Sequence, residues 1–260
     1  SMEVIAGKKS ASALRMLATS PRRLAAPGHA FDLRSFCIIR ETLAQNKVVI
    51  TATQMLQSMV DSPIPTRAEV LDVANAVIDG TDAVMLSQES AAGKYPLKAV
   101  EAMVRICIGA EKQFEANTDF EQAPRDLQRA DQAIAMATMF LSEHIGVRAI
   151  VAMTESGGTA RYLSRFRSNV PIFGLSRHVG ARRRMALMRD VFPIDFDSRG
   201  LATREAAREA LRHLFEQGVL AEGDRVVFTS GDHMEQHGAT NTLRLLQVGA
   251  GGKAVGLGEL

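Results

Sequence analysis

Apolar positions along the chain fall into short β-branched runs separated by longer stretches with helical spacing, and the two kinds of segment alternate. IIRETLAQ, from Ile38, has helical spacing; KVVITA, from Lys47, is an apolar run of strand length; residues 69–78 return to helical spacing and stop at Gly80. DAVMLS is a second short strand, and YPLKAVEAMVRICIGAEKQF a second long helix. Strand, helix, strand, helix is the grammar of a parallel sheet with crossover helices. A polar stretch over 115–130, with Asn117, Asp119, Pro124 and Asp126, has the composition of a linker between domains. Beyond it the spacing predicts a helix over 132–145, strand RAIVAMT, a helix over 159–167 and strand VPIFGLS. There follow a helix over 180–188, strand VFPIDF, a helix over 202–217, strand RVVFTS and a last strand TLRLLQV. Four helices interleaved with five strands predict a doubly wound α/β domain over 131–248. The tail, 249–260, is rich in glycine and is expected to be disordered.

Composition adds limits rather than a function. Of the 260 residues, 46% are hydrophobic, which is ample for a buried core. A net charge of +2, from 31 basic and 29 acidic side chains, creates no field that would recruit nucleic acid or a membrane surface. No apolar run approaches the roughly 20 residues that span a bilayer. Cys37 and Cys107 lie far apart without metal-like spacing or a disulfide-rich framework, which points to a reducing compartment. Residues 1–37 stand apart: basic, Ser-containing, poor in acids and weakly patterned. An organellar transit peptide, a leader added in cloning and the remnant of a truncated reading frame are all compatible with that composition.

ITATQM closes a predicted strand in a parallel sheet, where side chains and loop backbone converge beyond the carboxyl ends and ligands bind. Thr53 is therefore a candidate substrate contact, although Thr51 and Thr53 also read as plain β-branched strand residues. The longer string decides. VVITATQMLQSMVDSPIPTRAEVLDVANAVIDGTDAVMLSQESAAGKYP closely resembles the seventh and eighth strand segments of the pyruvate kinase barrel, which typically read ATQMLESM, PTRAE, DVANAV, DG, VMLS and a GKYP-like turn. The resemblance runs over residues 38–247. It implies the last two β/α units of a (β/α)8 TIM barrel over 38–114, followed by the doubly wound α/β C-terminal domain of that family. By the same resemblance Thr53 and Ser87 would join the proton relay that turns the enolate into pyruvate, a task that suits hydroxyls because they both donate and accept. Glu89 would follow at the barrel rim. The family's S-G-E-T is here Ser87-Gln88-Glu89-Ser90, a departure that bears on local loop shape. Arg67 and Glu69 of PTRAE would lie near a contact between subunits; a solvated charged face is the plainer reading.

Thr154-Glu155-Ser156-Gly157-Gly158-Thr159 follows strand RAIVAMT and precedes a helix. Such a loop gathers hydroxyls, backbone N–H groups and the positive end of a helix, a combination that grips phosphate, and that also serves as a simple N-cap. Pyruvate kinases place a T-x-S-G-x-S/T loop here, which holds a phosphate of the sugar phosphate activator. Thr154, Ser156 and Thr159 match its hydroxyls, with Gly157 and Gly158 between them. The segment containing Gly238-Ala239-Thr240-Asn241-Thr242 resembles the family's effector loop, ending in G-x-T-N-T. It is short and carries His233 and His237 in place of the tryptophan and arginine of animal enzymes, which implies a monophosphate activator of bacterial type. Arg177, His178 and Arg182 to Arg184 add positive charge after VPIFGLS; a solvated helix face explains such a run equally well.

Pyruvate kinases transfer phosphate from phosphoenolpyruvate to ADP, using Mg2+, K+, a lysine and an arginine from earlier barrel strands. None of the motifs that carry those groups occurs in this sequence. The resemblance therefore implies a fragment of a cytoplasmic, allosteric homotetrameric kinase, with phosphoenolpyruvate, ADP and a sugar monophosphate as ligands of the intact enzyme and no activity alone. A sugar phosphate-binding regulatory module without catalysis, and a truncation product with no role, are the alternatives. Two strands taken from a closed barrel are also expected to leave residues 38–113 poorly packed or prone to association.

Overall fold

A computed structural model describes residues 3–4, 33–52, 55–112, 127, 129–166, 168–232 and 238–256. They belong to two compact units that divide between Glu115 and Ala116.

The first unit holds a three-stranded sheet in the order β1 (Glu3–Val4), β2 (Ile50–Ala52), β3 (Ala83–Met85). β1 is antiparallel to β2, and β2 is parallel to β3. Helix α1 (Leu33–Ala44) precedes β2, and α2 (Arg67–Ile78) makes the crossover to β3. Thr66 starts α2 with a capping box: its hydroxyl accepts from Glu69 N–H while Glu69 reaches back to the Thr66 N–H. Gly80, at φ 97°, lets the chain turn out of the helix. A short α3 (Gln88–Ala91) leads into α4 (Pro96–Glu111), which opens on a proline whose missing N–H costs nothing there. Met55, Leu56 and Met59 meet Val73 and Ala76 of α2 and Ala99, Ala102 and Met103 of α4 in a closed cluster. The expectation of poor packing is thus overturned on this face, because three methionines fill the irregular gap between two helices. The opposite face of α4 does leave Leu97, Val100, Val104 and Ile108 exposed at helical spacing.

Residues 1–37 are not uniformly an unpatterned leader. Glu3–Val4 pairs with β2, and α1 begins at Leu33 with Ser35, Ile39 and Thr42 on its buried stripe. Two of those three side chains carry hydroxyls, so hydropathy hid the helical period. Thr42 satisfies its hydroxyl on the Ile38 carbonyl, 2.7 Å away.

The second unit is a six-stranded sheet in the order β6-β5-β4-β7-β8-β9: β6 (Val191–Asp195), β5 (Ile172–Ser176), β4 (Ala149–Met153), β7 (Arg225–Gly231), β8 (Thr240–Val248) and β9 (Ala254–Val255). The first four are parallel; β8 and β9 run antiparallel to their neighbours. All five residues of β4 are buried, as a central strand covered on both faces requires. Val151 and Met153 join Ala207, Ala210, Leu211 and Leu214 of α8 (Thr203–Glu216) in one core. Helices α5 (Ala130–Ile145), α6 (Gly158–Leu163) and α7 (Val179–Met185) pack on the strands outside that cluster. The chain steps outward from β4 to β5 and β6, then returns across α8 to β7 on the other side of β4. Strand order reverses there, which opens a crevice at the carboxyl ends of β4 and β7.

The tail also departs from expectation. Residues 249–256 form a tight return rather than a disordered end: Gly249 N–H donates to the Lys253 carbonyl (2.7 Å), and β9 pairs with β8. Gly252, at φ 80°, lies so close to the Phe215 ring that an added Cβ would stand 2.9 Å from it. Its glycines therefore supply close approach and positive φ, not flexibility.

Candidate functional site

β4 ends at Met153, and the next four residues turn the chain into α6. Thr154 Oγ1 accepts from the Gly157 N–H at 3.0 Å. Gly157 sits at φ 84°, and a Cβ there would lie 2.9 Å from Met185 Cγ. It is buried under the turn, against α7, and does not line the cavity described below. Thr159 is buried, and its hydroxyl shares a 2.6 Å hydrogen bond with Thr240 Oγ1, which ties α6 to β8. Ser156 Oγ has no hydrogen-bond partner among the described residues. As an acceptor, Thr154 keeps its own proton free; the Thr159–Thr240 pair keeps one, and Ser156 keeps its own. The helix that follows has fewer than two turns, so its dipole is a minor source of positive charge.

That charge comes from arginines. A cavity of about 280 Å³ opens beyond the carboxyl ends of β4, β5 and β7. Its walls include Thr154, Ser156, Gly158 and Thr159, together with Arg129 and Asp131 at the start of α5, Ser176 and Arg177 after β5, Ser198 after β6, and Gly238 to Thr240. Arg129 donates from Nε and Nη2 to the two Asp131 carboxylate oxygens at 2.9 and 2.8 Å. Asp131 is buried, and its hydrogen bond and charge push the Arg129 pKa further up. Arg177 Nη2 and His178 Nε2 both engage Glu155 Oε2, the former at 3.4 Å. Arg161 places its guanidinium 5.3 Å from the Tyr162 ring centroid and has a buried Nε without a hydrogen-bond partner among the described residues. Among the described residues, three arginines against two carboxylates leave this wall with one net positive charge.

The arginine run splits by role. Arg177 lines the cavity; Arg182 braces the loops through Asp195 (2.6 Å) and the Ser176 carbonyl (2.8 Å), and Arg184 reaches the Ser156 carbonyl at 3.3 Å. Arg129, Asp131 and Arg161 were not legible as site residues. Arg129 lies in the stretch read as linker, and only its spacing of two from an acid hinted at a fixed guanidinium. Among the residues expected at this site, Thr154, Ser156, Gly158, Thr159 and Gly238 come together; His233 and His237 fall outside the described residues.

In the first unit, Thr53 lies outside the described residues. Ser87 is exposed just beyond the carboxyl end of β3. Glu89, fully buried, accepts from the Leu56 N–H (3.2 Å) and the Ser87 N–H (2.8 Å), so one carboxylate fixes the loops after both β2 and β3. Arg67 is exposed at the first turn of α2. Glu69 is occupied internally: it accepts from Ser58 N–H (2.7 Å) and Oγ (2.5 Å) and from Thr66 N–H and Oγ1 (2.8 Å each). Partial burial raises its pKa, but the hydrogen bonds from Ser58 and Thr66 outweigh that and hold it below the ordinary 4.5. Among the described residues no three His, Cys, Asp or Glu side chains converge as a metal-binding set. No helix among them is long and apolar enough to cross a membrane.

Comparison with known proteins agrees with this division. Residues 27–100 match the family model for the pyruvate kinase barrel domain, and residues 132–246 that for the pyruvate kinase alpha/beta domain. The barrel match begins inside the segment expected to be an unmatched leader, in keeping with α1. The chain is 50% identical over 212 residues to pyruvate kinase II of Salmonella typhimurium, and 46% identical over 212 residues to a pyruvate kinase of Buchnera aphidicola subsp. Baizongia pistaciae. It is 37% identical over 211 residues to that of Thermotoga maritima. Each alignment covers 81% of this chain and 44% of the relative, so the chain spans less than half the length of these proteins. Two matched domains in unbroken order, and identities of this size, mean that the chain belongs to the pyruvate kinase family.

Proposed function

We propose that the second unit is the effector domain of a pyruvate kinase and that its cavity binds a sugar monophosphate. The observation that carries this reading is the convergence of hydroxyl donors on Thr154, Ser156, Thr159 and Thr240 with three arginines at a strand-order reversal. One net positive charge suits a single phosphate better than two. The intact enzyme transfers phosphate from phosphoenolpyruvate to ADP with Mg2+ and K+, assembles as a homotetramer and works in the cytoplasm. Free Cys37 and Cys107 are in keeping with that compartment. Thr53 and Ser87 serve its proton relay, Arg67 lies at a subunit contact, and this chain alone gives no turnover.

A second reading rests on the bond from Gly157 N–H to Thr154 Oγ1: the loop is a self-closed turn into α6, whose N-cap Gly157 receives no side-chain cap bond, and nothing more. Isothermal titration with ribose 5-phosphate and glucose 6-phosphate separates the two. The effector reading expects binding by the whole chain and a loss of about 10-fold in Ser156→Ala, the effect of about one charge-assisted hydrogen bond. Ser156 takes no part in that turn bond; a folded wild-type protein that releases no heat with either sugar phosphate would leave only the turn.

A further inference from the structure

Gly238 and Arg129 meet in a way the hydroxyl loop does not explain. Gly238, at φ 73°, borders the cavity, and a Cβ on it would stand 2.4 Å from Arg129 Nη2. Any Cβ there would push the guanidinium from the place it occupies, and the positive φ favours glycine as well. The guanidinium itself is not a loose surface group: two edge-on hydrogen bonds hold it to Asp131, which is 2% exposed. Such a paired geometry uses Nε and one hydrogen of Nη2. Among the described residues nothing takes up Nη1 or the second Nη2 hydrogen, and the Arg129 side chain is 53% exposed.

Arg129 also differs from the cavity's other cations. Arg177 is 24% exposed and shares its carboxylate with His178, and Arg161 turns its guanidinium onto Tyr162. Arg129 alone among these three combines a fixed planar fork with an open outer edge. A buried carboxylate that orients an arginine for a second, external anion reduces the entropy lost when that anion binds.

We infer that Arg129 is a ligand-binding residue of the cavity, positioned by Asp131 and admitted by Gly238, and that it grips the phosphorylated ligand from the α5 wall. The inference rests on the sugar phosphate reading above and adds to it a cation from outside the hydroxyl loop. Asp131 acts through Arg129 and touches no ligand, so it is a positioning residue.

The test is titration of the full chain and of Arg129→Lys, Arg129→Gln, Asp131→Asn and Ser156→Ala with ribose 5-phosphate, inorganic phosphate and unphosphorylated ribose, with the unfolding midpoint recorded for each. Arg129→Gln is expected to weaken ribose 5-phosphate binding about 10- to 100-fold and to flatten its dependence on salt. Arg129→Lys keeps the charge without the fork and should fall between the two, at an unchanged unfolding midpoint, while Asp131→Asn should lose about 3- to 10-fold. Wild-type affinity in Arg129→Gln, with binding weakened in Ser156→Ala, would overturn this inference and leave the effector site standing. No binding of either phosphate by the folded wild-type chain would overturn the effector reading, and this inference with it.

Discussion

Glu69 and Glu89 are carboxylates whose work is structural, and each accepts from two backbone N–H groups outside the helical ladder. Glu89 joins the loops after β2 and β3 from a fully buried position. Glu69 closes the start of α2 and holds Ser58 to it. Replacing Glu69 by alanine removes the return half of the capping box and the two Ser58 contacts, at an expected cost of about 1–2 kcal/mol at pH 7. Its carboxyl pKa is lowered in the fold, so the charged form is preferred there. The stabilisation is therefore complete above the ordinary pKa of 4.5 and fades as pH falls through the lower folded value. Denaturant midpoints of wild type and Glu69→Ala should differ at pH 7 and converge as pH drops below 4; an equal gap at both would refute the assignment. Sequence offered Glu69 as a residue near a subunit contact or on a solvated face, and gave no sign of Ser58, which lies eleven residues upstream and reaches it only through the turn.

At the scale of elements, the return of 249–256 onto β8 shows composition misread. GAGGK has the make-up of a flexible linker, yet Gly252 fits under Phe215 and Ala254 packs against the main core of the second unit. β9 also covers part of the β8 edge. Deleting residues 249–260 should lower the unfolding midpoint of this unit by about 2–8 °C, the effect of 1–2 kcal/mol on a domain of its size. A midpoint unchanged on deletion would mean that the strand adds no stability. Elements with a strong period were legible, α8 above all, since Ala206, Ala207, Ala210, Leu211 and Leu214 follow the helical repeat. α6 was overdrawn: the predicted helix ran to 167, whereas the helix ends at Leu163 and the N–H groups of Arg165 and Phe166 turn to carbonyls three residues back.

At the scale of the whole molecule, two units with separate cores imply two melting events. Calorimetry of the intact chain is expected to resolve two transitions, with the first unit melting at the lower temperature because the α4 stripe of Leu97, Val100, Val104 and Ile108 stays in water. One sharp transition with matching calorimetric and van't Hoff enthalpies would refute their independence. A coupled assay with phosphoenolpyruvate, ADP, Mg2+ and K+ should give no pyruvate above background, since phosphoryl transfer needs a metal clamp and the described residues present no such ligand set. Turnover by the purified chain would refute this.

The amino-acid order by itself determined the α/β alternation, the division near residue 115, the family and the T-E-S-G-G-T loop, because each depends on neighbours in sequence: hydrophobic period, turn chemistry and contiguous motifs. Tertiary structure alone decided that Arg129, Asp131 and Gly238 meet beside that loop, that Thr159 bonds to Thr240, and that the glycine-rich tail folds back as a strand. Those contacts join residues up to about a hundred positions apart. The first two exist because strand order reverses between β4 and β7 and brings the start of α5, the end of β4 and the start of β8 to one crevice, and the third because Gly252 fits under Phe215.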